Sequence, residues 1–324
     1  MFVGVGCMQS GASISQLNEH ALVVPAANKS LRNRLNKEWI VFLIFVFPNL
    51  ALFAIFTFWP MIRAFYLSTV RWDMISPTKT NVGLDNYRYL YHNDEFRETL
   101  WNSVYFTIGS IGGTLILGLA AALLLNLPLR GRDGVRAAVF APNLLSGAAI
   151  SIIWVYIFDP RFGLVKSFLG WFGLTSPAWL QDPQWAMPAI IIVSIWKGLG
   201  FATVIYLAGM QGIPKDLYEA AKVDGAGAWW RFKSVTLPML SPVMFFLIVT
   251  SVLSSFQSFD VIRIMTQGGP VNSTSTLIWY IYEQGFVAFN AGRSSAATVI
   301  LFLVLLVFTI FQVRYSERRV HYGN

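Results

Sequence analysis

Six apolar segments, each about as long as a membrane is thick, dominate this sequence of 324 residues. A helix needs roughly 20 apolar residues to cross the hydrocarbon core of a bilayer. Five of the segments contain no Asp, Glu, Lys or Arg, and the fourth contains one charged residue, Lys197. Because the segments are continuous and not alternating, they predict helices and argue against barrel strands. The segments cover residues 39–59, 102–127, 137–158, 186–208, 239–259 and 294–313.

The composition also indicates a membrane protein. Charged residues make up 12% of the chain, whereas a soluble domain carries about 25%. This low fraction argues against a soluble enzyme, a disordered chain and a nucleic-acid-binding protein, despite a formal net charge of +8. The single cysteine, Cys7, excludes an intrachain disulfide and a cysteine cluster for a metal. Since no phosphate-binding loop of the form GxxxxGK[ST] occurs, we expect the chain to bind neither ATP nor another cofactor itself.

The distribution of basic residues predicts the orientation of the chain. The N-terminal tail, the second and fourth loops and the C-terminus carry 14 Lys and Arg residues, against 9 in the other three loops. The richer side is expected in the cytoplasm, so both termini should lie there. The predicted organisation is a partly disordered cytoplasmic tail (1–38), a six-helix transmembrane domain (39–313) and a cytoplasmic C-terminal tail (314–324).

The fourth loop, residues 212–242, predicts a short helix that lies across the membrane face. Pro214 suits a first helical turn, because its missing N–H would be unpaired there anyway. The acid Glu219 lies early in the helix, where negative charge is favoured. Gly225 is expected to end this helix, and a second short helix is predicted over residues 226–235. One side of the first helix would be apolar, and the other side would carry acidic and small residues.

This loop resembles the EAA signature of ABC importer permeases, with about ten positions at matching spacing. In that family the loop is the coupling helix, which docks in a groove of a cytoplasmic ATPase subunit. The resemblance therefore implies six residues for ATPase coupling. They are Glu219, Ala220, Ala221, Asp224, Gly225 and Ala226.

Further segments extend the resemblance over most of the chain. They are similar to the carbohydrate-type permeases, the maltose, lactose and glycerol-3-phosphate group. The segment 266–270 together with Thr274 resembles the first of that group's two permease subunits. The other matching segments are 83–87, 102–103, 158–160, 163–164 and 207–209.

The resemblance implies an ATP-driven importer in a bacterial cytoplasmic membrane. A solute-binding protein would deliver the solute, and two permease chains, normally a heterodimer, would form the path through the lipid bilayer. Two cytoplasmic ATPase subunits would hold ATP and Mg²⁺, so this chain would be a transport subunit and not an enzyme. The solute would be a sugar or a glycerol-phosphate-like compound, and no nucleic acid would be a partner.

Three polar residues are candidates for the solute path. Lys197 lies near mid-span, where a charged residue is costly and is usually functional. Two other interpretations of Lys197 are a lysine that snorkels to the interface and a lysine that pairs with an acid on a partner chain. Gln257 and Asp260 end the fifth segment three positions apart, which predicts that they share one helix face. They either line the outer part of the path or mark the water interface.

Small residues on the second segment predict close packing against another helix. A turn is predicted over residues 268–270, where two glycines precede a proline. The small residues are Gly109, Gly113, Ala120 and Ala121.

Two other functions remain open at this point. A secondary transporter driven by an ion gradient would be expected to carry acids or histidines inside its spans. A membrane-embedded hydrolase or transferase would need a nucleophile–base pair or metal ligands at one depth. The six segments are nearly bare of such groups, and all three histidines lie outside them.

Overall fold

A computed structural model describes residues 29–128 and 130–319. The predicted N-terminal tail lies largely outside these ranges, as do residues 320–324 of the predicted C-terminal tail. The chain divides into two compact units, with the boundary between Met61 and Ile62. The described residues are almost entirely helical, apart from two strands of two residues each.

The first unit contains helix α1 (Lys29–Phe53), a π-helical turn (Ala54–Phe58) and the start of α2 (Trp59–Ser68). Helix α1 begins inside the segment predicted as a tail. The stretch Val41–Ser68 is long and apolar enough to cross a membrane, and its apolar window contains no buried residue. Phe45 is 78% exposed, for example. Exposed apolar side chains of this kind suit a helix that faces lipid.

The second unit holds the remaining elements. Its two strands, β1 (Val70–Arg71) and β2 (Thr80–Asn81), pair antiparallel. Two π-helical turns, Phe232–Thr236 and Glu283–Val287, interrupt its helices. The helices are α3 (Asp85–His92), α4 (Asp94–Leu125), α5 (Arg132–Leu144), α6 (Gly147–Ile157), α7 (Leu164–Trp171), α8 (Pro183–Gln211), α9 (Lys215–Val223), α10 (Ala228–Arg231), α11 (Leu237–Met239), α12 (Ser241–Phe256), α13 (Phe259–Met265), α14 (Leu277–Tyr282) and α15 (Ala291–Arg319).

The helical, polytopic fold predicted from the sequence is confirmed. Four stretches are long and apolar enough to cross a membrane as single helices: Val41–Ser68, Asp94–Leu125, Pro183–Gln211 and Ala291–Arg314. Two bent helix pairs supply the remaining predicted spans. The total is six if each bent pair crosses once.

The third apolar segment is not one helix, so the continuous span predicted over 137–158 is wrong. Helices α5 and α6 meet at an angle of 104°. Pro142 removes one backbone donor from the end of α5, and the backbone of Leu145 and Ser146 is extended. The Ser146 hydroxyl then accepts a hydrogen bond from the N–H of Ala149, which caps the new helix. Local capping therefore overrides the apolar character of the segment.

The fifth apolar segment is also interrupted. Helix α12 ends at Phe256, and Gln257 and Ser258 separate it from α13. The prediction that Gln257 and Asp260 share one helix face is therefore wrong, because Gln257 lies in this break and Asp260 lies in the helix after it.

The helix predicted over residues 226–235 also differs, since the observed helical stretch covers Ala228–Met239 and bends by 62° into α12.

Glycines hold α4 and α8 close together. A Cβ atom added to Gly109 would lie 2.8 Å from Cδ1 of Ile191, and one added to Gly113 would clash with Ile195. A side chain at either position would push the helices apart, so the packing role predicted for both glycines is confirmed. Ala120, in contrast, is exposed.

Two of the sequence motifs fold as local anchors. The buried Asn86 donates to the carbonyl oxygens of Ser68 and Val70 at 2.8 and 3.0 Å, which ties α3 to the chain after α2. The predicted turn at 268–270 is confirmed, because the Thr274 hydroxyl donates to the carbonyl oxygen of Gly269 at 2.7 Å. The backbone carbonyl of Gly268 accepts from the N–H of Thr274.

Candidate functional site

A cavity of about 460 Å³ opens between α4, α8, α12 and α13. We call it the Lys197 cavity. Asn143, near the end of α5, and Leu145, in the extended α5–α6 break, contribute to its wall. Non-helical backbone at membrane depth is tolerated where it is buried in protein or lines a water-filled space. The position of the break therefore fits a solvated cavity inside a membrane domain.

Hydroxylated residues are the most frequent polar residues in the lining. It includes eight serine and threonine residues and two amides, Asn143 and Gln257. The Ser194 hydroxyl is buried and has no hydrogen-bond partner among the described residues. Phe106, Phe201 and Phe259 add apolar surface. A few polar groups set among aromatic side chains are typical of small-molecule sites. The hydroxylated residues are Ser110, Thr114, Ser194, Thr250, Ser251, Ser254, Ser255 and Ser258.

The cavity brings together the three residues predicted for the solute path. Lys197 lies at the middle of α8, Asp260 is the second residue of α13, and Gln257 lies in the break before α13. Lys197 is half-buried, whereas Gln257 and Asp260 are exposed. Their shared position rests on the packing of α13 against α8 and α6. The break between α12 and α13 thus places both Gln257 and Asp260 in the wall of the same cavity.

Gly147, the first residue of α6, separates the two charged side chains. A Cβ atom on Gly147 would lie 3.0 Å from Oδ2 of Asp260 and 3.1 Å from Nζ of Lys197. The two charged atoms are thus no more than about 6 Å apart, within the range at which charges influence each other. Neither side chain forms a hydrogen bond or an ion pair with any described residue. Lys197 and Asp260 are therefore close to each other but form no ion pair, so both side chains can still form hydrogen bonds in the cavity.

Gly147 and Asn143 were not singled out from the sequence. The available clue was local: Pro142, Ser146 and Gly147 interrupt an otherwise apolar segment. The N-terminal end of α6, which carries the positive end of the helix dipole, lies beside the Asp260 carboxylate as a result.

The residues predicted for ATPase coupling lie on and just after α9. This helix is attached to the rest of the unit on one side only. Ala221 is buried, and the Tyr218 hydroxyl is 3.0 Å from that of Thr236. Tyr218 also packs against the apolar cluster that contains Tyr206 and Leu240. The other side of α9 is left open.

The end of α9 is a Schellman motif, and this explains the Asp-Gly-Ala part of the signature. The N–H of Ala226 donates to the carbonyl oxygen of Ala221 at 2.9 Å, and that of Gly225 donates to Lys222 at 3.0 Å. Gly225 has φ of 74°, which a glycine adopts without steric cost. The helix end predicted at Gly225 is confirmed.

The open side of α9 carries the acids. Glu219, Ala220 and Asp224 are exposed, and Ala226 is half-buried. Neither acidic side chain has a hydrogen-bond or ion-pair partner among the described residues. Unpaired carboxylates next to a small alanine, with the exposed Lys215 and Lys222 nearby, leave a charged surface that another protein can approach closely.

Helix α8 joins the two sites. Its final residue, Gln211, is separated from α9 only by Gly212, Ile213 and Pro214. Lys197 lies 14 residues before Gln211, or about 21 Å along the helix axis. One continuous helix therefore runs from the Lys197 cavity to the short connection before α9.

Comparison with known proteins identifies the family of the chain. Residues 114–322 match the family described as binding-protein-dependent transport system inner membrane component. The chain is 34% identical to the sn-glycerol-3-phosphate transport system permease protein UgpA of Pectobacterium atrosepticum, over 90% of this chain and 99% of that protein. It is 36% identical to UgpA of Yersinia pestis, over 88% of this chain and 96% of that protein.

A solved structure is similar as well. It is a bacterial ABC transporter involved in the import of the acidic polysaccharide alginate. The fold matches with a TM-score of 0.77 and 26% identity, and the match covers 90% of this chain and all of that one. Another structure of an alginate transporter, in complex with a periplasmic protein that holds an alginate pentasaccharide, matches with the same TM-score.

These relatives are transport permeases, so the ion-gradient alternative is not favoured. The family match covers more than half of the chain, and the curated relatives are matched almost from end to end. The chain therefore belongs to the binding-protein-dependent inner-membrane components, the permease subunits of ABC importers.

Proposed function

We propose that this permease couples solute movement through the Lys197 cavity to ATP hydrolysis on a separate subunit, with α9 as the docking helix. The main support is the geometry of α9. One side is fixed through Tyr218 and Ala221, and the opposite side exposes unpaired Glu219 and Asp224. A helix that is fixed on one side and open on the other transmits a push from a docked partner into the membrane domain.

The energy source is assigned to partner chains. Two cytoplasmic ATPase subunits hold ATP and Mg²⁺, and this chain binds neither. A second permease chain, different from this one, completes the path, and an external solute-binding protein delivers the solute. The alginate transporter bound to its periplasmic protein supports the last of these assignments by analogy.

The orientation follows from charge. Both termini and α9 lie on the cytoplasmic side of a bacterial inner membrane, because that side then carries most of the Lys and Arg residues. Residues 1–38 and 314–324 are cytoplasmic tails in this arrangement. The α5–α6 break and α13 then lie within or toward the outer half of the pathway.

The solute is a sugar or a glycerol-phosphate-like compound. The names of the glycerol-3-phosphate permeases and of the alginate importer specify polyhydroxylated compounds, and eight serine and threonine residues line the Lys197 cavity. Lys197, Gln257 and Asp260 are the path residues on this chain. Each presents polar atoms to the cavity, where hydroxyl groups of a passing solute can replace water.

The docking role of α9 is tested by charge reversal. Glu219→Lys is expected to leave the permease in the membrane but to lower co-purification of the tagged ATPase by about tenfold, because it places a cation where the docking surface is acidic. Glu98→Lys is the matched control, since Glu98 is an exposed acid at the start of α4. Normal recovery of the ATPase with Glu219→Lys would contradict the assignment.

A further inference from the structure

The charge balance of the Lys197 cavity indicates which class of solute it accepts. Lys197 and Asp260 are the only charged residues in its lining as the structure describes it. Both charged groups lie next to Gly147, within about 6 Å of each other. This chain therefore contributes one positive and one negative charge to the cavity, and no net charge.

We propose that the cavity takes a neutral, polyhydroxylated solute, such as an uncharged sugar or polyol, in preference to a phosphorylated or carboxylated one. The proposal rests on the assignment of this cavity to the solute path. It separates this chain from relatives whose names specify glycerol 3-phosphate or an acidic polysaccharide.

Hydrogen-bonding chemistry favours a neutral hydroxylated solute. An ammonium group only donates and a carboxylate only accepts, whereas a hydroxyl does both. Neighbouring hydroxyls of one solute molecule can accept from Lys197 and donate to Asp260 at the same time. All of these groups are then satisfied without any change in the balance of charge.

An anionic solute would change the balance of charge in the cavity. Its negative group would bind at Lys197 and would come within a few ångströms of the Asp260 carboxylate. Lys197 would then be neutralised by the solute, and Asp260 would face a like charge without compensation. A second negative charge within a few ångströms of the Asp260 carboxylate is unfavourable, although Asp260 is exposed. Asp260 is therefore the residue that disfavours anions.

Gly147 is the positioning residue of this arrangement. Any side chain at position 147 would occupy the space within about 3 Å of both charged groups. With glycine there, the Lys197 ammonium and the Asp260 carboxylate both reach the same part of the cavity. The EAA signature in the fourth loop predicts neither a role for Gly147 nor the proximity of Lys197 to Asp260.

The proposal is tested by solute protection of a cysteine in the complete complex with the partner permease and ATPase subunits. The reporter is Ser254→Cys in a Cys7→Ser background, because Ser254 is an exposed lining residue. Maleimide labelling of this chain is measured with glucose, maltose and sorbitol, and with glucuronate, glucose 6-phosphate and sn-glycerol 3-phosphate. Glucose and its two acidic derivatives differ only at one carbon, so they form a matched set.

We expect the neutral solutes to protect the cysteine at concentrations about tenfold lower than their anionic counterparts. Asp260→Asn should reduce or reverse this preference, and Lys197→Gln should increase it. Equal protection by both classes, stronger protection by the anions, no protection at all, or a preference that neither variant alters would each overturn the proposal. The assay needs neither ATP nor the binding protein, so its outcome is distinct from a failure of ATP-driven uptake.

Discussion

Nζ of Lys197 in α8 and Oδ2 of Asp260 in α13 lie 3.1 and 3.0 Å from the position that a Cβ atom of Gly147 would occupy, and the two residues form no ion pair. The sequence alone left open whether Lys197 lines the solute path, snorkels or pairs with an acid of a partner chain. Lys197 has no ion-pair partner among the described residues of this chain, and it lines a cavity that also contains eight serine and threonine residues. Asp260, which lies beyond the break that ends α12, also lines this cavity and also has no ion-pair partner among the described residues.

Removal of either charge should impair transport while the complex still assembles. In Lys197→Met and in Asp260→Asn, we expect uptake to fall at least tenfold, because the opposite charge is left in the cavity without its neighbour. Lys166→Met on the exposed side of α7 is the control for loss of a lysine. Uptake is measured in cells that express the whole transporter, with the amount of complex checked by purification. Wild-type uptake in both variants would remove the pair from the path.

Gly225→Ala should loosen the end of the docking helix. A residue with a Cβ atom pays about 1–2 kcal/mol in the left-handed conformation, and Gly225 has φ of 74°. We expect hydrogen exchange of the Gly225 and Ala226 amides to become several-fold faster and ATPase docking to weaken. Gly225→Asn should be milder, because Asn tolerates this conformation.

The control for Gly225 is Gly134→Ala. Gly134 lies in α5 with open space around it and no unusual backbone angle, so alanine there should be neutral or stabilising. Equal exchange rates in Gly225→Ala and in the wild type would show that the Schellman motif does not hold the helix end.

Adjacent glycines on α4 provide a matched test of helix packing. Gly113→Ala places a methyl group against Ile195, whereas Gly112→Ala places one in open space. Overpacking of this kind costs about 1–3 kcal/mol. We therefore expect a lower melting temperature for Gly113→Ala and an equal or higher one for Gly112→Ala, measured on the purified complex. Equal melting temperatures would argue against the observed α4–α8 contact.

Glu283 should make stability depend on pH. Burial raises the pKa of this carboxyl, and the negative charge of Glu95 raises it further. Its Oε2 atom is buried with no hydrogen-bond partner among the described residues. The folded state then holds the proton more tightly than the unfolded chain, so stability falls as pH rises from the ordinary value of 4.5 through the folded-state pKa.

Glu283→Gln should remove this loss of stability. We expect the variant to melt at a higher temperature than the wild type at pH 8 and at a similar temperature at pH 4.5. Glu98→Gln, at an exposed position, is the comparison. A wild-type melting profile that rises across this interval relative to Glu283→Gln would contradict the assigned direction.

The features that the sequence predicted correctly are those with local causes. Continuous apolar segments predicted the spans, and a proline, early acids and a glycine predicted α9 and its end at Gly225. The Schellman motif involves only residues within that helix and the three that follow it. Local chemistry of this kind is visible in a single sequence.

The features that were missed depend on breaks and on distant contacts. The segment 137–158 has the hydropathy of one span, and the capping of α6 by Ser146 inside it was not recognised. The meeting of Lys197 with Asp260 depends on how α13 packs on α6 and α8. No periodicity along the chain encodes that contact. Gly147 became significant only because two distant side chains converge on it.

Reconstituted uptake tests the central claim most directly. The permease is placed in proteoliposomes with its partner permease, the ATPase subunits and the loaded solute-binding protein, and solute entry is followed with and without ATP on the ATPase side. The account predicts uptake that requires ATP and the binding protein and that is lost in Glu219→Lys. Solute uptake by this chain alone, driven by an ion gradient without ATP, would contradict it.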